Sequence, residues 1–278
     1  MNGSLQLAPL LRRYGTFLGF LLIVSFFWSQ RPDTFMTTRN WLNITQQVSI
    51  LCVISFTMTL VMVGGDFDLS VGSMASLRGM IAAVLWQQNV SLFGALGAAV
   101  LVGTFGGVFN GVLVAYAGLS AFVATLGTLT IFSGLALLVS DGKTIFGRAI
   151  PEIVGDFSRG GLPLAEGIQL PNLTLIAILV LILMGIVLQH TVFGRNLHAV
   201  GGNREASLLA GVPVARLRLI AFAVNGVGAA IAGLMLVSRL SSANPTQGDG
   251  LMLNAIASVF VGMTMSDEGE PNLFGTLT

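Results

Sequence analysis

The sequence predicts an all-α, polytopic membrane protein, and three observations carry that prediction. Hydrophobic residues fill 54% of the 278 positions and charged residues only 9%, whereas a soluble domain carries roughly a quarter charged residues. The apolar residues gather into runs close to the ~20 residues that carry a helix across a hydrocarbon core. Within the runs hydrophobicity does not alternate with a period of two. Barrel strands are thereby excluded, and helices remain as the spanning structure.

Eight runs qualify: Tyr14 to Ser29, Ile44 to Val63, Val71 to Trp86, Leu92 to Ala117, Ala121 to Val139, Leu173 to Leu188, Leu219 to Val237 and Leu251 to Met265. Arg12 and Arg13 precede the first, and no small-residue cleavage pattern follows Trp28, so it reads as an uncleaved helix rather than a signal peptide. With those arginines inside, alternation places 30–43 outside and 194–218 inside. The basic residues do not decide the matter. Arg12, Arg13, Arg195, Arg204, Arg216 and Arg218 fall inside, against Arg31, Arg39, Lys143, Arg148, Arg159 and Arg239 outside, and the rule weakens for longer loops.

Between the second and third runs lies GGDFDLSVGS, Gly64 to Ser73, with almost no spacer. Carboxylates at membrane depth are costly and mark a cavity, a pathway or a helix end. Asp66, Asp68, Ser70 and Ser73 therefore read in two ways. Asp68 or Ser70 caps the helix beginning near Val71, or the broken segment borders a translocation path. Arg78, inside the third run, is expected to snorkel or to pair with Asp66 or Asp68.

In the fourth run Gly103, Gly107 and Gly111 recur every four residues, a ridge on which a second helix can approach closely. Asn110 beside it serves as interhelical glue or faces a cavity. In the fifth run Thr125 and Thr128 bond back to their own helix or line the path. The segment 140–172 is too polar for the bilayer and reads as an extracytoplasmic loop. Gly142-Lys143-Thr144 within it is no phosphate-binding loop, since Leu137 stands where that motif's first glycine belongs.

The polar stretch Gly194 to Leu219 follows the sixth run. Asn203 is a helix cap, Glu205 sits in a first turn that favours an anion, Gly211 is a left-handed stop and Pro213 suits the start of the next helix. The implied helix, Arg204 to Ala210, is far shorter than the ~12 residues at which isolated helices become marginal in water. Packing must hold it, either on its own membrane domain or, through Ala206, Leu208, Leu209 and Ala210, on a soluble partner. In the seventh run Ala229 and Gly233 favour close packing, with Asn225 a polar residue among them. A second polar break, Ser238 to Gly250, precedes the eighth run and its Asn254. Two such breaks on opposite sides of the membrane are the pattern of an inverted repeat.

Two motifs also carry a resemblance. Gly201-Gly202-Asn203 followed by Glu205-Ala206-Ser207 and Gly211 resembles the EAA-type signature of ABC importer permeases, with Ser207 in place of the second alanine. GGDFDLSVGS resembles the GGIDLSVGS signature of the ribose and related monosaccharide permeases. Ala121 to Thr128 resembles that family's P-F-[IV]-x-T-L-G-x run, with Ala121 in place of proline. The resemblance implies a single permease domain over 1–278 with pseudo-symmetric inverted halves, lying in the cell inner membrane. It implies a cytoplasmic coupling loop at 190–218, whose Gly201, Gly202, Asn203, Glu205, Ala206, Ser207 and Gly211 meet an ATPase, and it fixes the orientation. The expected path residues are Asp66, Asp68, Ser70, Ser73, Asn110, Thr125, Thr128, Asn225 and Asn254. Expected partners are ATP-binding cassette ATPase subunits, a second and identical permease subunit, an extracytoplasmic solute-binding protein and membrane lipid. Relatives continue with further helices beyond Thr278, so the C-terminal helices are expected to be missing.

No enzyme activity, cofactor, metal or nucleic-acid partner is expected. Cys52 is the only cysteine, His190 and His198 stand apart from any ligand set, and the net charge is +1. Two other classes compete. An ion-coupled secondary transporter or channel would use Asp66 and Asp68 and need no ATPase. An intramembrane aspartyl protease, suggested by Gly65-Asp66, lacks the required glycine at Val63 and a tyrosine-aspartate partner.

Overall fold

The apolar runs form helices and the polar breaks end them. The structure, a computed structural model, describes residues 7–165, 168–264 and 271–277. In chain order these hold α1 (Leu7–Gln30), α2 (Pro32–Phe35), α3 (Thr38–Val63), α4 (Val71–Gln87), α5 (Leu92–Ala115) and α6 (Ala121–Val139). Next come β1 (Ile145–Phe146), a 3-10 turn at Gly147–Ala149, α7 (Glu152–Arg159), β2 (Gly161–Ala165), β3 (Ile168–Pro171) and α8 (Asn172–His190). The remainder is α9 (Val192–Gly202), α10 (Arg204–Leu209), α11 (Val214–Leu240), β4 (Ser242–Ala243), α12 (Leu251–Met263) and α13 (Leu273–Leu277).

Each of the eight apolar runs holds a helix. Five of these helices, α3, α5, α6, α8 and α11, are long and apolar enough to span a membrane. The protein is thus an all-α, multi-pass membrane protein. The helices α4 and α12, at 17 and 13 residues, are shorter, and each follows one of the polar breaks.

The core is built around α11, which packs on α3, α4 and α5. Its contact with α5 is close because both surfaces are small. A Cβ at Gly103 would lie 2.6 Å from the Ala230 Cβ, and one at Gly107 would overlap the Phe222 carbonyl oxygen. The glycine ridge therefore acts as expected, as a surface for close helix approach.

The 27 residues of α11 span about 40 Å at 1.5 Å per residue, and they separate two irregular regions. At its C-terminal end sits the segment after α6, which folds further than expected of a loop. There β1 pairs with β4, β2 with β3, and the Ser158 hydroxyl of α7 donates to the Ser238 carbonyl at 2.9 Å. At its N-terminal end sit α9 and α10. The helix α9 was not expected from the sequence. Its Leu197 and Val200 are buried, and the Leu197 side chain lies against Gly64 at the end of α3.

The two polar breaks meet inside the bundle. A Cβ at Gly72 would lie 2.6 Å from the Gly248 carbonyl oxygen, and the Gly248 N–H donates to the Ser76 hydroxyl at 2.8 Å. The second break thus runs from the β4 end of the bundle down to the first turn of α4. Of the tail, 265–270 and Thr278 lie outside the described residues; α13 occupies the position where a further helix was expected to begin.

Candidate functional site

The site is built where the break after α3 meets the short helix α10. The two segments are about 140 positions apart in the chain, yet the same backbone device ends the helix before each. At the end of α3, Gly65 is left-handed at φ 77°. Its N–H donates to the Met62 carbonyl at 3.0 Å and the Asp66 N–H to the Val61 carbonyl at 3.1 Å. At the end of α10, Gly211 is left-handed at φ 78°, with Gly211 N–H to Leu208 at 3.0 Å and Val212 N–H to Ser207 at 3.0 Å. Both are Schellman stops, in which glycine accepts the left-handed position without steric cost. The first of them delivers Asp66 to the site.

Asp66 is buried and holds two arginines. Arg218, in the second turn of α11, donates from Nε to Oδ2 at 2.6 Å and from Nη2 to Oδ1 at 2.7 Å. Its Nη1 donates to the Val114 carbonyl of α5 at 3.2 Å. Arg204, the first residue of α10, makes one longer contact, Nη2 to Oδ1 at 3.3 Å. Burial is tolerable for this carboxylate because a planar guanidinium matches it with two parallel bonds.

The helix α10 has the caps the sequence predicts. The Asn203 side-chain oxygen accepts from the Ala206 N–H at 2.9 Å, Glu205 lies in the first turn, and Gly211 ends it. Only Ser207 is buried, whereas Ala206, Leu208 and Leu209 are exposed, Leu209 at 92%. Gly201 holds the segment against α3, since a Cβ there would overlap the Val63 carbonyl oxygen. Gly202 faces open space. The seven residues expected to form one coupling surface therefore divide. Ser207 is buried, Gly201 abuts the end of α3 while remaining exposed, Asn203 and Gly211 shape the helix, and Gly202, Glu205 and Ala206 are exposed.

Two residues further along, Asp68 sits in a different environment. It is fully buried and accepts from the Ser70 N–H at 2.9 Å, the Ser70 hydroxyl at 2.6 Å, Asn225 Nδ2 at 2.9 Å and Asn110 Nδ2 at 3.4 Å. Asn110 Nδ2 also donates to the Ser70 hydroxyl at 2.8 Å, and the Thr57 hydroxyl donates to Asn225 Oδ1 at 3.1 Å. One carboxylate thus ties together α3, α4, α5 and α11 through neutral donors, and Asn110 Oδ1 is the network atom left buried without a hydrogen-bond partner.

Of the expected path residues, the structure gathers Asp68, Ser70, Asn110 and Asn225 into this network, with Asp66 just outside it. Ser73 donates to the Ser70 carbonyl at 2.9 Å. Thr125 and Thr128 bond back within α6, to Ala121 at 2.7 Å and Thr125 at 3.2 Å. Asn254 is exposed elsewhere, lining a groove with Val48, Cys52 and Ser258. Ser70 holds the cap position of α4 without a side-chain cap bond, because its hydroxyl is already committed to Asp68.

Arg78 hydrogen-bonds to neither carboxylate, although the Asp68 charge acts on it electrostatically. It is fully buried, donating to the carbonyls of Met74 at 2.8 Å and Val102 at 3.0 Å, with its guanidinium carbon 5.0 Å from the Phe132 ring centroid. The space comes from Gly106, where a Cβ would overlap the guanidinium. Arg204, Arg218 and Thr57 were not singled out from the sequence. One signal was available for the arginines: a carboxylate at membrane depth needs a counter-charge, and both lie in the polar stretch that precedes the seventh run.

Comparison with known proteins agrees with this architecture. Residues 40–278 match the family described as the branched-chain amino acid transport system permease component. The chain is 35% identical over 276 residues to the ribose import permease protein RbsC of Haemophilus influenzae, covering 99% of this chain and 84% of that protein. It is 35% identical to the ribose import permease protein RbsC of Bacillus subtilis, covering 96% and 81%. It is 34% identical to the D-allose transport system permease protein AlsC of Escherichia coli, covering 95% and 79%. No solved structure matches. The family match over most of the chain and the near-full-length relatives lead to one conclusion: this chain belongs to the family of permease components of branched-chain amino acid-type transport systems.

Proposed function

We propose that the protein is the membrane-spanning subunit of an ATP-driven ABC importer for a monosaccharide or related small polyol. The observation that carries this reading is α10. It is a six-residue helix with Leu209 92% exposed, and it is tied by its first residue to the break that opens α4. A helix of that length does not stand alone, and its apolar face is turned outward, as a site for an ATPase surface would be. The monosaccharide follows from the ribose and allose permeases among its relatives.

In this reading 1–278 is one permease domain. Its 190–218 segment faces the cytoplasm, and its 140–172 segment faces outward toward a solute-binding protein. A second, identical permease subunit pairs with it above two ATPase subunits. ATP-driven closure of the ATPases moves α10, and the membrane domain exchanges outward for inward access because the two states differ in their contacts. No bond of the solute is made or broken. The network around Asp68, formed by residues expected to border the path, holds the helices that must move.

The ion-coupled alternative rested on two free carboxylates. Asp66 is paired to arginines and Asp68 is filled by neutral donors, so neither is favoured as a carrier site. The test is uptake of labelled ribose, allose and arabinose into proteoliposomes holding the full-length permease, its ATPase and its binding protein. ATP-dependent uptake supports the reading. Uptake driven by a proton or sodium gradient without ATPase contradicts it.

A further inference from the structure

We propose that Asp66 is the positioning residue that couples α10 to the transmembrane bundle, and that the Arg204–Asp66 contact is the part of its arginine clamp that opens and closes during transport. The proposal rests on α10 being the ATPase-contacting helix and adds how its movement enters the membrane domain.

The asymmetry of the clamp carries the inference. Arg218 grips Asp66 with two short bonds and a third to Val114, and its side chain is 10% exposed. That half is fixed, because parting it would leave a buried charge unpaired. Arg204 makes one contact at 3.3 Å, and its side chain is 41% exposed. A partly exposed single contact is worth little on its own, so a modest shift of α10 can break it. The surroundings permit the movement: the clamp lines a recess of about 740 Å³ with Phe67, Gly118 and Phe122, so the guanidinium can leave without displacing a packed neighbour.

The connections lead inward. Asp66 and Asp68 stand two residues apart on the same non-helical segment, so a change of load on Asp66 reaches the buried network of Asp68, Ser70, Asn110 and Asn225. It also reaches α11 directly through Arg218. A discrete contact between two packed elements is the kind of two-state part through which small shifts become larger rearrangements.

The experiment measures the ratio of solute-stimulated to solute-independent ATP turnover in the reconstituted importer, for wild type, Arg204→Gln and Arg204→Lys. The same proteins carry Leu209→Cys for cross-linking to the ATPase. Gln and Lys are both good helix formers, so a role in helix propensity alone would not separate them, and thermal stability reads out a static ion pair. The expected result is a ratio lowered roughly two- to fivefold in Arg204→Gln, the shift that one partly exposed ion pair supports, with near wild-type behaviour in Arg204→Lys. Cross-linking and thermal stability stay unchanged in both. An unaltered ratio in Arg204→Gln with cross-linking intact overturns the proposal and leaves the docking role of α10 standing. Absence of cross-linking in the wild-type background overturns that docking role, and the proposal with it.

Discussion

The Arg218 guanidinium grips Asp66 through two hydrogen bonds, at 2.6 and 2.7 Å, and so joins the base of α11 to the break between α3 and α4. Because both side chains are largely buried, removing either partner alone strands a charge. Arg218→Gln is expected to destabilise the protein by ~3–5 kcal/mol, read as a lowered unfolding midpoint in detergent. Arg218→Lys recovers only part of this, since an ammonium cannot reproduce the two-pronged geometry. Asp66→Leu with Arg218→Met is expected to unfold later than either single variant while failing to couple ATP turnover to transport.

The network at Asp68 predicts a different outcome. Asp68→Ala leaves donors from Ser70 and Asn225 buried without an acceptor, at ~1–3 kcal/mol for each group left unpaired. The folded yield and the unfolding midpoint are expected to fall together. Asn225→Asp, which places a second carboxylate against the first, is expected to be at least as damaging near neutral pH.

Adjacent glycines give a matched pair. Gly201→Ala forces a methyl group into the Val63 carbonyl and pushes α9 and α10 off the end of α3, whereas Gly202→Ala enters open space. The first is expected to cost ~1–3 kcal/mol, as overpacking does, and to impair transport. The second is expected to be silent in the unfolding assay.

Gly211→Ala tests the stop that shapes α10. At φ 78° an alanine is strained by ~1–2 kcal/mol, with no neighbour within 4 Å to clash. The expected result is weaker ATPase recruitment in pull-down from an otherwise folded membrane domain.

Much of this architecture was legible in the sequence because the bilayer imposes strong rules. The eight helices follow from run length, the close helix approach along one face of α5 from glycine spacing, and both ends of α10 from Asn203 and Gly211. What escaped was set by tertiary contact. The helix α9 carries no apolar run long enough to announce it, and it is held by Leu197 and Val200 against the rest of the bundle. Arg78 looked like a partner for the aspartates, yet its hydrogen bonds go to backbone carbonyls, in the space left by Gly106 and beside the ring of Phe132. The roles of Arg204 and Arg218 depend on a contact between segments about 140 positions apart, which no local pattern encodes. Thr125 and Thr128 bond back to their own helix, one of the two roles their chemistry suggested, while Asn254 lines a groove away from the Asp68 network.

The central claim is that α10 lies on the cytoplasmic side and is covered by an ATPase. Cys52 is the sole cysteine and is buried, so Leu209→Cys in a Cys52→Ala background offers one reactive thiol. A membrane-impermeant maleimide is applied to sealed right-side-out and inside-out vesicles, with and without the ATPase. Labelling confined to inside-out vesicles and suppressed by the ATPase is the predicted result. Labelling from the outer face, or labelling that the ATPase leaves unchanged, would contradict the account.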